Sequence, residues 1–431
     1  MLWRMKLPVD GNPEAVPALT GSDMLNIQGQ TTALAHTQRV IGSGRLASTW
    51  IFAGPTGVGK FQTAVEMAKT SLCDQPIHRP NLHDGQLFNA LLEPDFVLTL
   101  PCGQCDSCKA VEFRNHPDLH IVSRELIRYH DRSGKSKGTT LSIQVIRGEI
   151  IGDDSPEHRV EPKIYKRSHR GRGKWFIIDD ADLMEIPAQN ALLKTLEEPP
   201  PQNYIILITT SPTELLSTIR SRSQFVQFRD LSFAVMVPEL IKRGADTAQA
   251  QLLARLSGGS LGRAIIFQQA AIAADRAETT RTAAKNAAAD QPAFPHWINS
   301  ISSVLDNMLA GRDGGMALAD VIQKCAEQYA KTMLKRDPLA SKDRAVRDGV
   351  GLMFSFAAAW LDDRLRHATG AEIIAPLPSH AHAMEPGAAL ECIAVCRQAE
   401  VQADMNAHIG VLVAATCTGM EHAMRKVQFV Q

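Results

Sequence analysis

Residues 54 to 61 read Gly54, Pro55, Thr56, Gly57, Val58, Gly59, Lys60 and Phe61. Glycines at this spacing let backbone N–H groups converge on phosphate oxygens. A lysine then reaches the β- and γ-phosphates, and a Ser or Thr directly after it ligates Mg²⁺. Gly54, Gly59 and Lys60 stand where that chemistry needs them. Phe61 occupies the metal-ligand position and offers no oxygen. The segment reads as a nucleotide-binding loop with one catalytic part removed, so ATP or ADP binding is expected to be weak or absent.

A second set of acids belongs to the same chemistry. Lys174 to Ile178 is an apolar run that ends in Asp179 and Asp180. In proteins with a phosphate loop, such a strand delivers an aspartate to Mg²⁺, and the next residue is often a glutamate that polarises the attacking water. Here that residue is Asp180, whose arm is shorter by one C–C bond, about 1.5 Å, and catalysis depends steeply on placement. The competing reading is a strand followed by an acidic helix N-cap, which also favours Asp.

A third cluster is metal chemistry. Cys102, Cys105 and Cys108 repeat at C-x₂-C-x₂-C spacing, the form of a knuckle that wraps a tetrahedral Zn²⁺. A closed site needs a fourth ligand. Cys73 is the best candidate, and His78, His83 and His116 are rivals. Cys325, Cys392, Cys396 and Cys417 fall on helical patterns and read as core, since free cysteine packs as a small apolar residue.

These residues need elements to position them. Ser48 to Ala53 is a β-prone apolar run, and Thr63 to Lys69 has helical spacing. Strand, glycine loop and helix together aim a helix N-terminus at an anion. Between about 27 and 228, strand-like and helix-like runs alternate, which predicts a parallel sheet with crossover helices. Two polar, basic inserts, Arg124–Gly138 and Asp153–Gly173, read as surface loops or hairpins. Residues 1–26 read as a Pro/Gly-containing arm. Helical periodicity dominates from 229 onward, apart from a linker ending at Pro295 and a Pro/His/Gly-rich loop at 370–388.

Composition narrows the classes. Lys+Arg and Asp+Glu both number 46 in 431 residues. A strongly basic DNA-binding protein is excluded, and any nucleic-acid contact must be local or delegated to partners. No apolar run approaches a membrane span, and no signal peptide is visible, so a cytoplasmic protein without membrane attachment is expected.

The helix Asn190 to Glu198 carries Leu192, Leu193 and Leu196 as its buried stripe and stops at Pro199 and Pro200. A third apolar run, Tyr204 to Thr210, leads into Thr218-Ile219-Arg220-Ser221-Arg222-Ser223, and Ser257 to Ala264 follows later. In this order the segments resemble the clamp-loader branch of the AAA+ ATPases that serves bacterial DNA polymerase III. The match rests on residues 27–268; beyond them it extends only to helical character and to Asp404-Met405-Asn406-Ala407-His408.

The resemblance implies an α/β AAA+ P-loop domain over 1–228 with an inserted zinc module, a helical lid over 229–270, a helix and linker over 271–296, and an all-α collar over 297–431. It implies that Arg222 is an arginine finger acting in trans, with Ser223 replacing the motif's cysteine. Thr209 becomes the strand-end sensor and Arg263 the second sensor. The implied partners are gamma/tau-like ATPases and a delta-like subunit in a hetero-pentameric ring, with the sliding clamp and primed DNA reached through the complex. Both catalytic positions, Phe61 and Asp180, are degraded while the finger survives. That combination fits a stator which completes another subunit's site. The alternatives are an active ATPase subunit of a clamp loader or repair complex, and a zinc-stabilised adaptor that never binds nucleotide.

Overall fold

The computed structural model describes residues 27–80, 91–93, 96–130, 140–155, 158–268, 296–336, 342–371, 384–404 and 408–426. The expected N-terminal arm, His83, most of the 271–296 linker, and parts of the 124–138 insert, the 370–388 loop and the 404–408 motif lie outside these residues. The chain divides between Leu231 and Ser232 into two compact units.

The first unit is built on a five-stranded sheet. Its strands are β1 (Thr49–Ala53), β4 (Leu119–Val122), β7 (Lys174–Ile178), β8 (Asn203–Thr209) and β9 (Gln224–Gln227). They run in the order β4-β7-β8-β1-β9, and every pairing is parallel. β1 and β7 are buried along their whole length. Helices on both faces remove any polar side, so these strands are continuously apolar rather than alternating. Because all five strands run the same way, their C-terminal ends share one edge, and the phosphate loop leaves the sheet there.

Helices α1 (Thr31–Ser43) and α2 (Lys60–Leu72) flank the loop in sequence. α3 (Asp106–Glu112) starts inside the cysteine triplet, with Cys105 at its N-cap and Cys108 in its first turn, and the short antiparallel pair β2 (Ile77–Pro80) and β3 (Val97–Leu100) lies ahead of it. α6 (Ile186–Glu197) buries Leu192 and Leu196 against Ile51, Phe176, Ile178 and Leu207 of the sheet. It ends at Glu198, because the residue before a proline is pushed out of helical geometry.

The two inserts differ from the expected surface loops. Arg124–Leu126 forms a 3₁₀ turn and α4 (Ile127–His130) continues it, with Arg124 and Ile127 buried. After α5 (Ile143–Ile146), the second insert begins as the expected hairpin, β5 (Asp153–Ser155) against β6 (His158–Val160). Its next turn, however, drives Ile164 into the main core. A single apolar residue in a basic run gives no periodic signal, which is why sequence patterning misses it.

The second unit is helical. It contains α8 (Phe233–Lys242), α9 (Thr247–Leu256), a helical stretch at 261–268, and α10 (His296–Leu309), α11 (Gly315–Arg336), α12 (Lys342–Thr369), α13 (Pro386–Asp404) and α14 (Ile409–Lys426). Phe354, Phe356 and Trp360 of α12 are buried. Cys325, Cys392, Cys396 and Cys417 are buried thiols, as expected of core residues. Cys392 and Cys396 engage the Met420 carbonyl and sulfur at 3.5 Å each. Among the described residues no helix is long and apolar enough to cross a membrane.

Candidate functional site

β1 hands the chain to Gly54, whose N–H donates to the Thr209 carbonyl at 3.2 Å. A Cβ on Gly54 would lie 2.4 Å from the Phe228 carbonyl oxygen, and its φ of +149° is one that L side chains rarely adopt. Only glycine fits here, for two independent reasons. Gly59, at φ +104°, caps α2 and turns its N-terminus back toward the loop. The N–H groups of a helix end, with its dipole, are the kind of element that can receive an anion.

Lys60 does not project from this cradle. Its Nζ donates to the carbonyls of Gly54 and Pro55, both at 2.6 Å. Burial pushes the ammonium down to about 8, against the opposing pull of Asp179, Asp182 and Asp180. Phe61 is the second residue of α2, half-buried, and brings no oxygen.

Gln30 braces the loop from outside. Its amide donates to the Val58 carbonyl at 3.1 Å and to the Arg229 carbonyl at 2.7 Å, and its carbonyl accepts the Arg229 N–H. Nothing local in the sequence marks Gln30, because its partners are distant in the chain.

The acids stand at the end of β7. Asp179 accepts the Asp180 N–H at 3.1 Å. Asp180 sits at φ +52° in the left-handed region, an uncommon conformation outside glycine and a few polar residues. Its carboxylate lies 3.5 Å from the guanidinium of Arg124. Arg124 therefore leaves the surface insert assigned to it and becomes the internal counter-ion of the second acid. Asp182 joins the group: burial raises its carboxyl, and it accepts the Thr210 hydroxyl at 2.7 Å. The Thr209 hydroxyl accepts the Ser211 N–H at 3.0 Å. Lys60, Asp179, Asp180 and Thr209 thus gather at the C-terminal edge of the sheet.

The remaining expected site residues are Arg222 and Arg263. Arg222 follows α7 (Ser217–Arg220) at the surface. It pairs with Glu197 at 3.0 Å and donates to the Thr218 carbonyl. Arg263 belongs to the second unit, where it donates to the Ser355 hydroxyl at 2.9 Å.

The cysteines form a separate centre. The sulfurs of Cys73, Cys102, Cys105 and Cys108 all lie within 4.8 Å of one another. Four thiolates around a tetrahedral ion with bonds of about 2.3 Å stand about 3.8 Å apart. The Cys73–Cys105 and Cys102–Cys108 separations are 3.8 and 4.0 Å, so the donor set fits a metal ion.

Backbone N–H groups of Cys102, Cys105 and Cys108 point at these sulfurs from 3.3 to 3.4 Å. Burial raises the Cys108 thiol well above its ordinary range. At Cys102 burial is outweighed by N–H donors from Gln104 and Cys105, which bring the thiol to about 7. The histidine rivals are engaged elsewhere: His116 contacts Ser107 and the Asp118 N–H, and His78 contacts Thr99. The cluster is pinned to the second insert, since Asp74 binds Arg170 at 3.0 Å and Ser107 at 3.1 Å.

The family described as "DNA polymerase III, delta subunit" matches residues 29–232. The chain is 30% identical to DNA polymerase III subunit delta' of Bacillus subtilis (strain 168) over 240 residues, 56% of this chain and 59% of that one. It is 29% identical to subunit tau of Escherichia coli (strain K12) over 262 residues, 59% of this chain and 33% of that one. A solved gamma subunit-related protein from Thermotoga maritima aligns at 15% identity and a TM-score of 0.36, covering 92% of this chain and 100% of that one. Over these residues the chain is similar to the delta' and tau subunits of DNA polymerase III. The chain spans 59% of the Bacillus relative and 33% of the Escherichia one.

Proposed function

We propose that this chain is a stator subunit of the clamp loader serving a bacterial replicative polymerase, working in the cytoplasm, and that it turns over little or no ATP itself. The observation that carries this reading is the state of its nucleotide site. The phosphate cradle is kept, but Phe61 removes a direct Mg²⁺ ligand and the short acid Asp180 is already engaged by Arg124. Any nucleotide held there is held without the positioned charge that phosphoryl transfer needs.

Arg222 then acts on a neighbour. It lies at the surface, on the connection into β9, where a second subunit can receive it. A guanidinium is permanently charged and can grip phosphate oxygens in a fork. In this reading gamma/tau-like ATPases and a delta-like subunit complete a hetero-pentameric ring, which carries the sliding clamp to primed DNA. Residues 229–270 are assigned as lid and 297–431 as the collar that assembles the ring. The four-cysteine centre holds one structural Zn²⁺, because four thiolates leave no open coordination position.

The test is reconstitution with gamma/tau-like and delta-like subunits and a clamp. The isolated chain should hydrolyse far less than about 1 s⁻¹, the low end of typical enzymes. Arg222→Ala should assemble normally and lower the DNA- and clamp-stimulated ATPase. A finger is worth about 10³–10⁵ in rate at the site it serves, diluted in bulk by the other sites. Turnover near the typical range by the isolated chain would reject the stator in favour of an active ATPase. For the metal, elemental analysis should find one zinc per chain, and Cys73→Ser should lose it.

A further inference from the structure

The second basic insert has no part in the nucleotide site. Residues 159–174 carry seven Lys/Arg and one acid, Glu161, an excess of six positive charges on a chain whose totals balance. Lys163 and Lys174 are spent inward: Lys163 pairs with Glu149 at 2.7 Å, and Lys174 donates to the Lys163 carbonyl. Arg159 lies on β6, and the other four form a short strap, Tyr165 to Arg172, in which Lys166, Arg167, Arg170 and Arg172 are exposed, Lys166 in a solvent-facing pair with Glu161 at 2.5 Å. Tyr165 lies exposed beside them, 53% accessible.

The strap is held firmly from beneath. The buried carboxylate of Asp118 accepts the N–H groups of His169 and Arg170 at 2.8 and 3.1 Å. Arg170 pairs with Asp74, and Arg172 donates to the Asp74 carbonyl at 2.9 Å. Gly173 makes the closing turn at φ +88°, where a Cβ would sit 2.5 Å from the Gln202 carbonyl oxygen. A backbone fixed in this way presents its cations without a large ordering cost on binding.

Its place in the fold separates it from the phosphate loop. The strap ends at Lys174, the N-terminal end of β7, whereas Asp179 and Lys60 gather at the C-terminal edge. Five residues of strand put about 16 Å between the two. It lies instead beside the four-cysteine centre, through Asp74.

We infer that Tyr165–Arg172 is a sequence-independent binding strap for single-stranded nucleic acid, with phosphates on Lys166, Arg167, Arg170 and Arg172 and a base stacked on Tyr165. Clustered cations alone would suit any polyanion. An exposed aromatic ring among them is the combination that single strands use, because every unpaired base offers a π-face.

The test uses the isolated full chain, without partners or ATP, so it stands or falls apart from the stator assignment. A fluorescent oligothymidylate is titrated by anisotropy at several salt concentrations. With four phosphates engaged, the log–log salt slope should be about −3, a loss of roughly fifty-fold between 50 and 200 mM. Lys166→Gln/Arg167→Gln leaves the Asp74 anchors intact and should cut the slope to about −1.4. Tyr165→Ala should weaken binding roughly tenfold with the slope unchanged. Metal content and melting temperature of both variants should match the parent, since all three side chains are exposed. Absence of oligonucleotide binding at 50 mM salt overturns the inference. So does an unchanged slope in the double variant, equal competition by polyglutamate, or tighter binding of duplex together with an inert Tyr165→Ala.

Discussion

Lys60 is the residue whose state says most about the nucleotide site. It is buried, bonded to two carbonyls of its own loop, and shifted from 10.5 to about 8. Its folded value lies below its unfolded one, so between about pH 8 and 10.5 the unfolded chain binds a proton that the folded chain does not. Stability contributed by this group therefore rises with pH across that window and is lowest below it. The difference amounts to about 3 kcal/mol at most. Urea midpoints of the parent, minus those of Lys60→Met, should climb from pH 8 to 10.5. Added pyrophosphate should flatten the climb by giving the ammonium a counter-charge.

The loop itself was legible in the sequence because phosphate chemistry fixes residue types over eight consecutive positions. Gln30 and Arg124 were not. Each acts on a partner distant in sequence, and neither carries a local mark of that role.

At the scale of elements, Asp118 joins two of them. It sits at the start of β4, fully buried, and holds the strap through two backbone N–H groups. Replacing it with Asn keeps the shape but turns one acceptor into a donor facing an N–H. Removing one such charge-assisted bond costs about 1.5–3 kcal/mol. Asp118→Asn should therefore release the strap locally before the unit unfolds. Limited trypsin digestion should cut after Arg167, Arg170 or Arg172 faster than in the parent. Equal cleavage rates would show that the strap is held by other contacts.

The parallel sheet and the zinc-type knuckle were readable, the one from apolar runs separated by helical spacing, the other from two x₂ steps. The inserts were misread for a physical reason. Basic residues dominate their composition, while inward residues, Arg124 and Ile127 in the first and Ile164 in the second, tie them to the unit's interior.

For the whole molecule, the division between Leu231 and Ser232 places the cysteine centre in one compact unit and α8 to α14 in the other. Calorimetry should resolve two transitions. A strong chelator should lower only the transition of the first unit, because a structural metal contributes directly to the folding free energy of the unit that holds it. A single transition, shifted as a whole, would mean that the units unfold as one. The C-terminal helices were legible as helices from their period, but the collar role proposed for them was not, since oligomerisation leaves no distinct spacing in an amphipathic helix.

The middle position of β1 in its sheet bears on how the chain is born. β1 pairs on one side with β8 and on the other with β9, whose residues are Gln224–Gln227. At bacterial synthesis rates of about 5–20 residues per second, the ribosome needs on the order of 10–30 s to add the residues between β1 and β9. Until β8 emerges, Thr49–Ala53 is an apolar strand with both hydrogen-bonding edges open, a template for wrong pairing, and the edge that β9 takes stays open to the end of the interval. The catalytic-type loop attached to it has no frame until the far strand emerges. A nascent chain stopped short of residue 224 should need chaperone cover, and one released after residue 231 should not.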